Sequence, residues 1–339
     1  MPMTAPLSAK NPNCNNTKTQ RMKTKKLLPL LTVLLTLAAC GGDGDGDDII
    51  VQHNTQKSGN TVVNNNRNTT GATAAQTRLE FPHLKGGKSL VIVHSATLNR
   101  TEGGINYCVE WDTEKNAQRW SCYQMYSSVN YHSSYNVSRY RAENDGSLSA
   151  ECQYPNDPDL PEAYRMTADP YKYNGYDHGH ICPSADRLRS AESNYQTFYI
   201  TNMQPQLNVF NAGIWEKMEE QVRTWASACD TLFVCKGGTI DKQEHVLGQL
   251  TDQIKRENRI PVPRYFFMAL LSKKGNNYKA TAFWVEHLNE DHTNDALRNY
   301  AYSIDWLEQQ TGIDFFCNLP DDIEDMVESK MTPSEWGLK

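Results

Sequence analysis

Between about residues 41 and 78 the chain carries almost nothing that a fold could bury. The runs GGDGDGDDII and NTQKSGNTVVNNNRNTTGATAAQT are rich in Gly, Asp, Asn and Thr and poor in large apolar side chains. Burial cannot offset the entropy of ordering such a stretch, so it reads as a flexible tether. This feature divides the 339-residue chain. The folded part must lie beyond it, over about 260 residues, the size of one large domain or two small ones. No second low-complexity break and no internal repeat interrupts that length, so a single domain over 79–330 is expected.

Ahead of the tether, Lys23, Lys25 and Lys26 precede LLPLLTVLLTLAA, an apolar run too short to span a bilayer comfortably. Basic residues, an apolar run and small residues at its end make a secretory signal. The ending Leu37-Ala38-Ala39-Cys40 resembles the lipobox of bacterial lipoproteins. That resemblance implies that Cys40 is lipidated and becomes the new N-terminus, and a multiply acylated cysteine holds a protein firmly on a membrane. Residues 1–40 are therefore read as an export region with a lipoprotein signal peptide, Met22 being an alternative start. The expected location is the bacterial cell envelope. From Cys40 onward, 28 Lys+Arg stand against 40 Asp+Glu, a net charge of −12. This excludes a uniformly basic coat for DNA but leaves room for a locally basic cleft. Beyond Cys40 lie seven further cysteines: Cys108, Cys122, Cys152, Cys182, Cys229, Cys235 and Cys317. In an exported chain disulfides are expected, with at least one thiol left over. No CxxC or zinc-finger spacing suggests structural zinc.

Within the domain, KSLVIVHSAT, INYCVEWD and QRWSCYQMYSS read as strands, the last two as a hairpin around TEKNA that makes Cys108 and Cys122 candidate cross-strand neighbours. QTFYITNMQPQ is a short apolar run closed by Pro205, read as a buried strand. The period then changes. Ile214, Trp215, Met218, Val222 and Trp225 form one stripe at helical spacing in NAGIWEKMEEQVRTWASA. Three more strands (TLFVCKGGTI, RYFFMALLSKK, YKATAFWVEHL) and two more helices (NDALRNYAYSIDWLEQQTG, PDDIEDMVE) complete the reading. The fold class is α+β, with a central, mostly antiparallel sheet and helices packed on it.

Chemistry concentrates in YNGYDHGHICPSADR and in the forty residues after it. His180 ends an Asp-His-Gly-His segment, Asn202 ends the next strand, Asn211 opens a helix and Glu219 lies eight residues on, about 12 Å along the axis. His180, Asn211 and Glu219 supply an imidazole, an amide oxygen and a carboxylate. Oxygen ligands suit Mg²⁺, and a neutral imidazole is a good general base. A metal and a separate base suffice for phosphodiester hydrolysis. Each residue also has a plainer reading: Asn211 as a helix N-cap, Glu219 as a solvated helix residue, and His178 with His180 and Asp177 or Cys182 as a zinc clamp.

YDHGHICPSADR…FYITNMQPQLNVFNAGIWEKMEEQVR resembles the DNA/RNA non-specific endonuclease family, the ββα-metal nucleases, over residues 80–325. The family pattern is Asp-Arg-Gly-His, then NxxPQ, then NxxxWxxxE. The resemblance implies that His180 is the general base, Asn211 the direct ligand of Mg²⁺ (Mn²⁺ being the alternative ion) and Glu219 the carboxylate of the metal's water shell. Asn202 joins the catalytic set and Gln206 the substrate-binding set as motif positions that support the site. Asp177 helps to fix the loop, and Gly179 lets the backbone turn. His178 stands where the family has arginine, a phosphate ligand. A histidine there is cationic only near or below pH ~6.5, which implies activity shifted toward acid. Arg139, Arg141 and Arg187 are further phosphate-binding candidates. The implied activity is Mg²⁺-dependent cleavage of DNA and RNA with little sequence preference and 5′-phosphate ends. The rival reading is a surface module that binds nucleic acid through a decayed site.

Overall fold

Alternate residues of the central strands fall into two separate cores, one on each face of a single sheet. The computed structural model describes residues 63–69, 72–99, 102–131, 136–144, 149–253 and 259–339, all within one compact unit. The sheet is built from β1 (Ser89–Asn99), β2 (Glu102–Asp112), β3 (Ala117–Tyr126), β6 (Thr231–Gly238), β9 (Tyr265–Lys274), β10 (Asn277–Glu286) and β11 (Ala301–Tyr302), in the order β1-β2-β3-β6-β9-β10-β11. Every neighbouring pair is antiparallel. β4 (Asp177–His180) with β5 (Met203–Gln206), and β7 (Val246–Leu250) with β8 (Ile260–Pro263), form two separate ribbons.

The side-chain period of two sorts the residues. Tyr107, Val109, Tyr123, Met125, Leu232, Val234, Met268 and Leu270 enter one core, where Ile214, Trp215, Met218 and Val222 of the site helix meet them. Cys108, Trp120, Cys122, Phe233, Cys235, Phe267 and Ala269 enter the other. There they meet Ile304 and Leu307 of helix α3 (Ile304–Thr311) and Ile323 and Val327 of helix α4 (Asp321–Glu328). The α+β architecture is therefore a helix–sheet–helix stack, and double burial explains why FFMALL reads as a continuous apolar run. Among the described residues no helix is long and apolar enough to cross a membrane.

Three expectations change. The helix predicted from residue 294 begins at Ile304, because Ala301 and Tyr302 pair with Phe283 and Ala282 at the sheet edge and Ser303 then caps Trp306 N. The strand predicted over QTFYITNMQPQ shrinks to Met203–Gln206, after helix α1 (Ala191–Gln196) and a 3₁₀ turn. Cys108 and Cys122 are register neighbours as expected, but with Cys235, Cys182, Cys229 and Cys317 they are free, buried thiols, while Cys152 is disulfide-bonded.

The domain also reaches past both expected ends. Trp336 is buried, and its carbonyl accepts the Trp225 indole N–H at 2.9 Å. At the other end, residues 63–69 pack against the domain although their composition reads as tether. The reason is polar: asparagine side chains satisfy backbone groups of the core. Asn64 Nδ2 donates to the carbonyl of Cys317. Asn68 is buried, donates to the carbonyl of Pro82 at 2.9 Å and accepts from Leu84 N at 3.0 Å. Residues 41–62 and the export region lie outside the described residues. Asn68→Ala leaves both groups unpaired, so it should lower unfolding stability by about 2–4 kcal/mol. Chemical denaturation checks this, and a loss below about 0.5 kcal/mol would return the segment to the tether.

Candidate active site

The β4–β5 ribbon pairs Asp177 with Gln206 and His180 with Met203. Gln204 ties it to the main sheet: its side chain donates to the carbonyls of Gln118 and Gly238 and accepts from Gly238 N. After the ribbon the chain makes one α turn (Asn208–Phe210), a π-like turn kinked at Gly213 (Asn211–Trp215) and helix α2 (Glu216–Ala226). A cleft of about 390 Å³ opens beside this ribbon, lined by β4, by the chain that follows it (Pro183, Ser184, Ala185), by the Asn211 turn and α2, and by Arg139 and Tyr154.

His180 and Phe198 meet edge to face at 4.8 Å and 86°. The His180 Nε2 is buried with no partner among the described residues. Burial, then the nearby Arg139 charge, push its pKa well below the ordinary histidine value, so the imidazole is neutral. Asn211 donates through Nδ2 to Asp177 Oδ2 at 3.0 Å, and Asn208 donates to the same oxygen at 2.9 Å. Asp177 therefore sets the Asn211 amide, whose oxygen becomes the group turned away from that carboxylate. Asn211 is not an N-cap, since its backbone is helical. Glu219 accepts from Lys236 Nζ at 2.6 Å, and Lys236, 1% exposed, also lies over the Trp215 ring. Burial raises the Glu219 pKa against the opposing pull of Lys236.

Residues 91–322 match the family model of the DNA/RNA non-specific endonucleases. The chain belongs to that family. Its similar relatives include a nuclease of Nostoc sp., 28% identical over 231 residues (66% of this chain, 76% of the relative). Nuclease C1 of Cunninghamella echinulata is 27% identical over 177 residues (52% and 70%), and human mitochondrial endonuclease G is 25% identical over 172 residues (50% and 58%). A solved structure of EndoG with its inhibitor EndoGI shares the fold at a TM-score of 0.54, 17% identity and coverage of 69% and 89%. The chain is accordingly an enzyme of the nucleic-acid hydrolase class.

In this endonuclease domain the expected site residues separate. His180, Asn211, Glu219, Asp177, His178 and Arg139 line the cleft; Asn202, Gln206, Arg187, Arg141 and Cys182 do not. Asn202 is fully buried, accepting from Cys182 N at 2.9 Å and donating to the carbonyls of Cys182 and Thr197 at 2.8 Å. It staples the loop behind His180 and touches nothing that reacts. Gln206 is fully buried beneath Gly179, where any Cβ would collide with its side chain. Gly179 is thus required for that close approach rather than for a turn. Arg187 is 3% exposed, lies 4.4 Å from the centre of the Tyr123 ring and donates to the carbonyls of Asp186 and Gln124. It belongs to the core. His178 is sandwiched between Tyr154 (3.7 Å) and Tyr171 (4.3 Å), and its Nε2 meets the Asp169 carboxylate at 3.0 Å. The nitrogen expected to meet phosphate is committed to a carboxylate, which removes the reason for an acid-shifted profile. The zinc clamp is not assembled either, because Cys182 is fully buried and His178 points to Asp169.

Arg223 does not stand out in its sequence context. It lines the cleft and pairs with Asp186 at 3.1 Å. Its one signal is the four-residue spacing from Glu219, which puts both on one helix face. Two substitutions separate cleft from core. Arg139→Ala should raise KM for nucleic acid by about 10-fold or more, the loss of a charge-assisted contact, with an unchanged Tm. Arg187→Ala should leave KM alone and cost about 3 kcal/mol of stability through an emptied, formerly paired site. Steady-state kinetics beside thermal melts tests both, and the reverse pattern would overturn the assignment.

Proposed function

We propose that the protein hydrolyses phosphodiester bonds of DNA and RNA in a Mg²⁺-dependent reaction, Mn²⁺ being able to substitute, with little sequence preference and 5′-phosphate products. The observation that carries this reading is His180: a neutral imidazole whose buried Nε2 lacks a partner among the described residues, in one cleft with an amide whose oxygen Asp177 has oriented. Asn211 and Glu219 are the residues that would hold the ion, and their donor set, an amide oxygen and a carboxylate, fits a hard cation. When bound, the ion supplies charge stabilisation at the phosphate and the departing oxygen. His180 Nε2 takes the proton of the attacking water. Lys236 fixes Glu219 from behind, and Arg139 and Arg223 face the phosphates. A site built around one phosphate, one ion and one base makes few base-edge contacts, which supports weak sequence preference.

The lipobox-like Cys40 supports a second element: export and anchoring to the bacterial envelope by lipid. Cys40 lies outside the described residues. Cys40→Ala should move the protein from the membrane to the soluble fraction on cell fractionation; unchanged partition would point to another anchor.

The central test incubates plasmid DNA and structured RNA with the purified protein in Mg²⁺ and in chelator. His180→Ala should cut the rate by about 10²–10⁴ with the fold intact. Binding of both substrates without cleavage by the parent protein would favour the decayed-site reading. The pH dependence has a defined sign. With the His180 pKa depressed, the base is competent above its folded value and is lost as pH falls through it, so the acid limb of the rate should lie below pH ~6.5. An acid limb near pH ~7 that His180→Ala leaves in place would assign the base elsewhere.

A further inference from the structure

Five carboxylates converge on the face of the main sheet opposite the cleft. Asp305 and Glu308 stand three apart on α3, Glu324 and Glu328 four apart on α4, and Asp314 lies on the chain between the helices. Such spacings put like charges on one helix face, where they destabilise. Carboxylate oxygens of Asp305, Glu308 and Glu328 lie within 4.8 Å of one another. Glu324 and Glu328 are each only 5% exposed. The strongest charged neighbours of Glu328 are Glu308, Glu324, Asp314 and Asp305, each of its own sign, while His83 acts favourably on Asp314.

Buried carboxylates are ordinarily paired, hydrogen-bonded or bound to metal. Part of the cluster is hydrogen-bonded: Glu308 Oε1 accepts from Phe315 N at 2.7 Å and Glu324 Oε1 from Asn66 Nδ2 at 2.8 Å. Glu328 is the exception. Its Oε1 is buried without a partner among the described residues, in the side chain that completes the close trio. The Asn66 Oδ1 beside the cluster is likewise buried and unpartnered. Every donor atom offered here is an oxygen, most of them from carboxyl groups, which suits neither zinc nor copper. Irregular all-oxygen cages of several carboxylates suit Ca²⁺, whereas Mg²⁺ prefers few protein ligands and keeps its waters.

The geometry points to a binding site for a hard divalent cation of the calcium class, formed by Asp305, Glu308 and Glu328 with Glu324 and Asp314 around them, separate from the catalytic cleft. Such an ion would join α3 to α4. Through the Asn66–Glu324 bond it would also fasten the 63–69 segment. Its role is structural, so it stabilises the fold by mass action without entering the reaction.

The test uses the full-length protein, stripped with EDTA and desalted at pH ~8, above the usual carboxylate range, with CaCl₂ as the probe. Thermal unfolding should shift upward by roughly 5–10 °C at a concentration about 100 times Kd. Tb³⁺ in place of Ca²⁺ should show luminescence sensitised by Trp306, which lies between two of the ligands in sequence. Glu328→Gln should abolish both signals; should it fail to fold, Asp305→Asn, at a partly buried position, carries the same comparison. Asn211→Ala should keep both signals, which separates this site from the cleft. The proposal is overturned by a calcium shift of equal size in parent and Glu328→Gln, or by one that Asn211→Ala removes. It is equally overturned by no calcium shift at all, in which case the cluster is held by protonation.

Discussion

Burial of both faces of the seven-stranded sheet decides where chemistry can sit in this molecule. Side chains of β3, β6 and β9 enter dry cores on either side, and an unpaired charge there is costly. A hydrolytic site needs charge and water, so it is built on an appendage, the β4–β5 ribbon and α2, at the margin of one core. The ribbon is pinned by Gln204 to the backbone of Gln118 and Gly238, so β4 inherits the rigidity of the sheet. A second contact between the two regions is Lys236. It rises from β6, is nearly inaccessible, and ends on Glu219 with its ammonium over Trp215. The cation that the core must neutralise is neutralised by the carboxylate that the site must hold still.

Asp177 performs the matching service for Asn211. One carboxylate oxygen takes both the Asn208 and the Asn211 amides, joining the ribbon to the opening turn of the helix. The kink at Gly213 is part of that junction, where a Cβ would come within 2.8 Å of Thr293 Oγ1. Wide turns of this kind recur at functional sites because they shift the phase of a helix without breaking it. Here the shift carries Asn211 to Asp177 while Ile214, Trp215, Met218 and Val222 keep their apolar register.

Much of this is legible from residue pattern. Period-two runs mark the strands, the Ile214–Val222 stripe marks the site helix, and the order of His180, Asn211 and Glu219 marks the cleft. Pattern fails where a side chain's fate depends on neighbours distant in sequence. Arg187 looks like a phosphate ligand until Tyr123, 64 positions earlier, is found beneath it. His178 looks like a weakened arginine until Tyr154, Tyr171 and Asp169 enclose it. Gly179 looks like a hinge until Gln206 is found filling the space of its missing side chain. The start of the domain is hidden for another reason: Asn64 and Asn68 contribute by hydrogen bonding, and composition registers only what can be buried.

The electrostatics of the cleft resolve the tension between a polyanionic substrate and a net charge of −12 beyond Cys40. Arg223 is already satisfied by Asp186, so a phosphate approaching it must compete with a buried carboxylate. Lys236 is committed to Glu219. Arg139 differs: its guanidinium lies over Phe198 at 5.1 Å, no described carboxylate pairs with it, and partial desolvation depresses its pKa. A cation that is partly stripped of water and unpaired gains most when an anion arrives. Arg139 therefore gives the cleft that His180 also lines a cation open to an arriving anion. On a chain of net negative charge, one such cation would hold a polyanion at the cleft and weakly elsewhere, which suits release better than retention.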